Sequence, residues 1–505
     1  MPFSLHHKVF SLHHKVMTAE EAAELVLPGE LLGVSGFTLA GYPKTVPEAL
    51  AKRGLRLKAA GEDFRVSVFS GASTGDELDG SLSRAGLIDW RMPYQSNASL
   101  RAQINEGRVR YLDVHLGMMG PMVREGVLPK PTLAIVEAVA VTPEGRVYLS
   151  SSGGNSATFL TLADRIILEI NGVYGDAFIG FHDTFLPGLP PLARPIPISN
   201  PADRVGQEYV QIDPKKIIAV VHTERADSVA RFTEPDEVSQ TIAGHILDFI
   251  RHEQKKGRLP EGLPYQSGVG NVANAVLAAM AHDPLQGMVN LYTEVIQEAV
   301  FSLLEAGKLG VASGTALTFS PAAQEIFKHN VRSWKHRFVI RQQEVSNHAE
   351  VIRRLGVISM NTALECDIFG NVNSSHVSGT KIMNGIGGSA DFARNCYLGF
   401  FMTPSTAKNG AVSSIVPLVS HVDHTEHDTQ VFVTERGIAD LRGKSPEEKA
   451  RLIIENCAHP NFKDLLNDYL FEGLKESKEH HLPVSLKNAF DVHLKFKETG
   501  KMRES

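Results

Sequence analysis

Met288-Val289-Asn290-Leu291-Tyr292-Thr293-Glu294 is a short apolar run that ends on a carboxylate. Runs of this length, rich in Val, Leu and Tyr, make buried strands. The residues that follow, 295–304, have helical spacing: Val295, Ala299 and Leu303 fall on one side, with Ile296, Val300 and Leu304 beside them. A helix over 295–304 is therefore expected, with Glu294 at the junction. In a parallel α/β sheet the carboxyl ends of the strands face the crevice where ligands bind. A carboxylate at a helix start is also favoured by the helix dipole. Glu294 thus has two readings, a plain helix cap and a reactive group in a crevice. Its neighbours decide between them.

Upstream, Gly268-Val269-Gly270-Asn271-Val272-Ala273 opens a helical pattern over 272–281. A glycine turn, a helix, a strand and an acid about 20 residues on imitate the dinucleotide fingerprint. That fingerprint also needs a strand before its first glycine. Residues 257–267 hold two prolines and no strand-like run, so NAD binding is not expected. The turn still offers unhindered backbone N–H groups at a helix start, suited to a phosphate or a carbonyl oxygen. A second turn, Asn384-Gly385-Ile386-Gly387-Gly388-Ser389, allows backbone to approach a ligand closely. Its N–H groups can hold a developing oxyanion; the bland reading is a tight turn. Amides and carboxylates recur where apolar runs end: Asn347 after Val345-Ser346, Asn361 after Met360, Asn371 and Asn373 in 370–375, and Glu435 after 429–433. With Glu294 they describe one crowded polar crevice. His421, His424 and His427 have zinc-like spacing. A strand at 429–433 leaves little room for the helix that would align them, so hydrogen-bonded structural histidines, and no metal, are expected.

The chain has 505 residues, enough for two or three domains. Its 51 basic and 57 acidic side chains leave a charge of −6, which suggests neither a nucleic-acid nor a membrane partner. Cys366, Cys396 and Cys457 are far apart and form no CxxC, which fits a reducing, cytoplasmic setting. No apolar run approaches the roughly 20 residues of a membrane span. Phe3-Ser4-Leu5-His6-His7-Lys8-Val9 is repeated at 10–16. This leader lacks the apolar core and small-residue cleavage site of a secretory signal, and it has no arginine. A disordered duplicated leader over 1–16, or Met17 as the effective start, is expected; its paired histidines can take up metal adventitiously.

From Thr18 helical and strand-like stretches alternate. Strands are expected at 30–35, 64–69, 109–113, 133–137, 165–169 and 216–221, with helices at 19–27 and 43–53. Several strands run into Gly/Ser/Thr loops such as Ser70-Gly71-Ala72-Ser73-Thr74-Gly75. A polar break at 222–237 precedes a long amphipathic helix at 238–252. Strands return at 310–313, 338–341, 357–360, 366–369, 413–416 and 429–433, with a helix at 446–457 and a polar helical tail from 460 laid across the surface. The pattern indicates an α/β protein with largely parallel sheets, divided into a domain over 17–225 and a second over 226–505 that carries Glu294.

Together the motifs resemble the acetyl-CoA hydrolase/transferase group of class I CoA-transferases. The likeness runs from about Thr18 to Met502. It rests on Ser35-Gly36-Phe37-Thr38, Gly71-Ala72-Ser73-Thr74-Gly75, Gln266-Ser267-Gly268-Val269-Gly270-Asn271, Thr293-Glu294-Val295-Ile296-Gln297, Val345-Ser346-Asn347, Gly370-Asn371-Val372-Asn373-Ser374, Asn384-Gly385-Ile386-Gly387-Gly388-Ser389, Pro404-Ser405-Thr406-Ala407-Lys408, Ser420-His421-Val422-Asp423-His424 and Ala439-Asp440-Leu441-Arg442-Gly443. The resemblance implies two similar open α/β domains with the active site between them, a homodimer, and Glu294 as a covalent nucleophile. It implies that Asn347, Gly388 and Glu435 also act in catalysis. CoA contacts would fall on Gln266, Ser267, Gly268, Val269, Gly270, Leu364, Asn384, Gly388 and Lys408. The substrates would be an acyl-CoA and a short-chain carboxylate, with no resident cofactor. The likeness is strongest to members that exchange succinyl-CoA with acetate, and good to propionyl-CoA/succinate exchangers. One departure stands out: Ser228 occupies a position where succinyl-CoA users tend to have arginine, with Arg225 nearby. A hydrolase using the same site, an NAD-dependent oxidoreductase and a non-catalytic CoA-sensing protein are the competing readings.

Overall fold

The computed structural model describes residues 12–229, 235–283, 287–478 and 480–503. The chain forms two compact units that are not contiguous in sequence. The first takes the described residues up to 229 with Asn290–Glu298 and Leu309–Leu355; the second takes the rest. Glu294 therefore packs with the N-terminal part of the chain, and a cut at 225/226 does not follow the units.

The first unit is built on a sheet whose strands lie in the order Ile217–Thr223, Arg165–Asn171, Leu133–Val141, Leu31–Val34, Val66–Phe69, Ile88–Met92, Arg110–Tyr111. Every neighbouring pair is parallel. Alternate residues serve two apolar layers. Leu32, Val34, Leu133 and Ile135 enter one, and Leu31, Ala134 and Val136 enter the other. Both faces are covered, so the strands read as continuous apolar runs. The helix Thr45–Ala59 crosses one face. Its start is held by Glu169 from the strand Arg165–Asn171, whose carboxylate accepts from the N–H groups of Lys44 at 2.7 Å, Thr45 at 3.0 Å and Val46 at 3.1 Å, meeting the helix dipole with negative charge.

Beyond this sheet the first unit holds Leu309–Gly314 parallel to Phe338–Arg341, which pairs in turn with His182–Asp183. In the second unit Tyr265–Ser267, Ile358–Thr362, Leu398–Met402 and Val431–Thr434 run parallel in that order, closed by the antiparallel edge Gly437–Asp440. The helices Pro460–Ser477 and Asp491–Thr499 bury Phe462, Leu466, Leu470 and Val492 in that unit's core, so the tail supplies core as well as surface. No helix among the described residues is long and apolar enough to cross a membrane.

Several expectations need correction. The stretch 295–304 is not one helix: Val295–Gln297 is a strand parallel to Ala316–Thr318, and the helix begins at Val300. The β-branched pair Val295-Ile296 finds a strand partner, which overrides the helical spacing. Glu294 is therefore no helix cap. A strand, Tyr265–Ser267, does precede Gly268; three residues are too few to show a period. Ile88–Met92 was hidden by its polar residues, since Arg91 and Asp79 pair with both side chains fully buried. Leu12 to Val16 are not disordered: Leu12 is buried in the core, and Val16 bridges Val220. The first leader copy lies outside the described residues.

Candidate active site

Glu294 sits two residues beyond the strand Val289–Tyr292, and its backbone is fixed on both sides. Thr293 N–H donates to Ser313 O at 2.9 Å, and Glu294 O accepts from Thr315 N–H at 2.6 Å and Ala316 N–H at 3.0 Å. The side chain is half-buried. Its Oε1 accepts a hydrogen bond from Asn347 Nδ2 at 2.6 Å.

Asn347 ends the short helix Gln343–Ser346 and is 2% exposed. Ser346 hydroxyl donates to Asn347 Oδ1 at 2.7 Å, and Thr315 Oγ1 lies 2.5 Å from Ser346 Oγ. An amide whose oxygen is engaged by a hydroxyl must turn its NH₂ the other way, here toward Glu294. The helix is anchored by Tyr292 OH, which donates to Val345 O at 2.6 Å, and by Gln343 Nε2, which donates to Leu116 O at 2.8 Å. Glu344 pairs with Arg124 at 2.6 Å; burial nevertheless pushes its carboxyl up to about 7.

The residue after Glu294 joins an apolar cluster. Val295 and Ala316 pack with Phe37, Ala40, Ala72 and Leu116, with Tyr94 against them. Phe37 and Ala72 belong to loops at the carboxyl ends of Leu31–Val34 and Val66–Phe69. These loops touch through glycine: Gly71 N–H donates to Gly36 O at 3.1 Å, and a Cβ on Gly71 would sit 2.5 Å from that oxygen.

Ser228 is engaged rather than open. Its hydroxyl donates to Glu77 Oε1 at 2.6 Å, while Tyr42 OH donates to Oε2 at 2.6 Å. Burial opposes ionisation of Glu77, but the Ser228 and Tyr42 hydroxyls prevail and hold it below the usual carboxylate range. Arg225 is tied to Glu48 at 2.6 Å and to Glu77 at 3.4 Å.

In the second unit Gln266 is 1% exposed. It donates from Nε2 to Asn361 Oδ1 at 3.1 Å and accepts at Oε1 from Met360 N–H at 3.0 Å. It braces the strand end from which Ser267 and Gly268 emerge. A Cβ on Gly268 would meet Met360 O at 2.8 Å, so only glycine passes there. Gly270, at φ 143°, opens the helix Asn271–His282, with Val269 exposed beside it. Gly387 has φ 63°, and Gly388 opens the helix Ser389–Ala393. Leu364 is an exposed apolar residue. Lys408 is exposed at the tip of the hairpin joining Thr406–Ala407 to Val412–Ser413. Its backbone is left-handed at φ 49°, and its Nζ lies 4.6 Å from the centre of the Phe496 ring. Glu435 accepts from Ser405 N–H at 2.7 Å and from the Ser405 hydroxyl. Burial resists its ionisation, but these bonds hold it below the ordinary glutamate value.

The three histidines of 421–427 do not converge. His424 Nε2 lies 3.0 Å from Ser389 Oγ, and its ring packs on Phe401. His421 instead faces His376 and Asp423. The sequence reading missed Ser346 and Thr315, which orient Asn347. The only cue was the hydroxyl next to Asn347 in Val345-Ser346-Asn347.

Models of the acetyl-CoA hydrolase/transferase N-terminal and C-terminal domains match residues 7–222 and 324–470. The chain is 48% identical over 96% of its length to a Clostridium kluyveri protein described as succinyl-CoA:acetate CoA-transferase, covering 90% of it. It is 44% identical over 96% of its length to the Escherichia coli propanoyl-CoA:succinate CoA transferase, covering 98% of that chain. The crystal structure of RipA from Yersinia pestis shares the fold, with a TM-score of 0.69 at 23% identity over 91% of this chain and 98% of that one.

Proposed function

The chain belongs to the acetyl-CoA hydrolase/transferase family, and we propose that it is a transferase that moves coenzyme A from succinyl-CoA to acetate through a covalent bond to Glu294. The observation that carries this reading is the contact at 2.6 Å between Glu294 and an amide turned toward it by Ser346.

The chemical task is to pass a thiol between two carboxylates without losing it to water. Glu294 carboxylate attacks the thioester carbonyl, and collapse of the tetrahedral intermediate expels CoA thiolate and leaves an acyl–glutamyl anhydride. The thiolate attacks the Glu294 carbonyl carbon, releasing the first carboxylate and forming a glutamyl-CoA thioester. Acetate attacks that carbon and expels the thiolate again. The thiolate then takes the acetyl group, and Glu294 leaves as a carboxylate. No net proton is consumed, and the kinetics are ping-pong. Asn347 donates to charge developing on the Glu294 oxygen at the two tetrahedral stages centred on the Glu294 carbon, the type of contact worth about 3–4 kcal/mol per donor.

The same reading assigns CoA to Gln266, Ser267, Gly268, Val269, Gly270, Leu364, Asn384, Gly388 and Lys408, and further catalytic roles to Gly388 and Glu435. Its support is the exposed apolar pair Val269 and Leu364, the glycine-opened helix at Gly270, and an exposed cation at Lys408. A cytoplasmic homodimer completes the proposal. Because Ser228 and Arg225 are both bound to Glu77, succinate selectivity would rest on groups other than an arginine at 228. An exchange assay with succinyl-, acetyl- and propionyl-CoA against the matching free acids tests the proposal. Acetate-dependent formation of acetyl-CoA from succinyl-CoA supports it. Thiol release at the same rate with no acceptor acid would make the chain a hydrolase, and preference for propionyl-CoA with succinate would reassign the acyl pair.

A further inference from the structure

We propose that His376, His421 and Asp423 form a binding site for a divalent transition-metal cation, zinc by the chemistry of its donors. Their ligand atoms lie within 4.8 Å of one another. The donor set, two imidazoles and a carboxylate, suits zinc with a water in the fourth position.

The hydrogen bonds prepare each donor. Ser375 hydroxyl donates to Asp423, at 2.7 Å from Oδ1 and 2.8 Å from Oδ2. With its one proton so used, Ser375 Oγ accepts from His376 Nδ1 at 2.7 Å. That fixes the Nδ1–H tautomer of His376 and leaves the Nε2 lone pair for a metal, the arrangement outer hydrogen bonds impose on metal-binding histidines. Asp423 Oδ2 is steadied by the N–H groups of Ser374 at 2.6 Å and Ser375 at 2.9 Å. Asp423 Oδ1 lies 3.2 Å from His421 Nε2. Two donors on one tetrahedral zinc are about 3.3 Å apart, given bonds of about 2.0–2.1 Å. The His376 and His421 ring centres are 3.9 Å apart, and a turn of the half-buried His421 ring closes the set.

The backbone is pre-formed too. Val372 N–H donates to His424 O at 2.8 Å, and Asp423 N–H donates to Val372 O at 3.0 Å. His376 belongs to the hairpin of His376–Val377 with Lys381–Ile382, and Met383 N–H then returns to Ser375 O at 2.7 Å. A cation would clip this hairpin to the 420–424 segment, just ahead of the Asn384 glycine turn.

The test is cobalt(II) and zinc(II) titration of the full chain after chelator stripping. The variants are His376→Ala, His421→Ala and His427→Ala, plus a chain with alanine at His6, His7, His13 and His14. The wild type, His427→Ala and the leader variant should each show the intense visible bands of four-coordinate cobalt. His376→Ala and His421→Ala should lose those bands and bind more than about tenfold weaker, since even a lost outer hydrogen bond has that effect. With chelator present these two should melt with the stripped wild type, and zinc should stabilise the wild type, His427→Ala and the leader variant but neither of these two. Equal binding by wild type and His421→Ala, or loss of the bands in the leader variant, overturns the proposal.

Discussion

Asn347 Nδ2 and Glu294 Oε1 are 2.6 Å apart, although the two residues are 53 positions apart in sequence. The amide can face only one way because Ser346 holds its oxygen. In the proposed reaction, an acid held against a buried donor is oriented for attack before any substrate arrives.

Glu294→Ala removes the proposed nucleophile while leaving the backbone bonds to Thr315 and Ala316. Transfer should fall by roughly 10⁴-fold or more, with thermal stability near that of the wild type. Steady-state exchange and a melting curve check this together.

Asn347→Ala deletes the donor itself. kcat should fall by about 10²–10³-fold, the loss seen when one preorganised oxyanion donor is removed, with little change in KM. Ser346→Ala leaves the donor but frees its amide to rotate, so its kcat should lie between Asn347→Ala and wild type. If Ser346→Ala matches wild type, the hydroxyl does not position Asn347.

Lys408→Ala removes an exposed cation from a strained turn. The KM for acyl-CoA should rise about tenfold with kcat held, and the dependence of KM on salt should flatten, because a surface cation meeting phosphate is screened by ions.

Burial depresses His182 to about 4 from 6.5. Its Nε2 meets Ser150 O at 2.6 Å, and Nδ1 is buried with no partner, so a proton there would be a buried, unpaired charge. The unfolded chain takes that proton near pH 6.5 and the folded chain only near 4. Stability is therefore complete above pH 6.5 and declines as pH falls to 4, by up to about 3 kcal/mol from this group. His182→Gln should flatten that acid limb in denaturant melts compared with wild type.

The parallel sheets were legible because buried strands such as 133–137 and 165–169 read as unbroken apolar runs. Glu294 and Asn347 were legible as polar residues placed where such runs end. What failed was local. Val295-Ile296 has helical spacing, yet a parallel partner 21 positions on, Val295 with Ala316, makes it a strand, and no window of neighbouring residues contains that partner. Arg91 hid its strand because its charge is neutralised by Asp79 from another element. The packing of 290–298 and 309–355 with the N-terminal part is likewise a long-range fact. So is His376 joining His421, while the histidine three residues on turns to Ser389.

The central claim is that Glu294 carries coenzyme A as a thioester during turnover. The chain incubated with succinyl-CoA alone, treated with borohydride, digested and analysed by peptide mass addresses it most directly. Reduction of a thioester turns the Glu294 side chain into a primary alcohol, and the account predicts that change on the peptide containing Tyr292 to Gln297 and on no other. An unmodified Glu294 in chain that is actively exchanging acyl groups would contradict it.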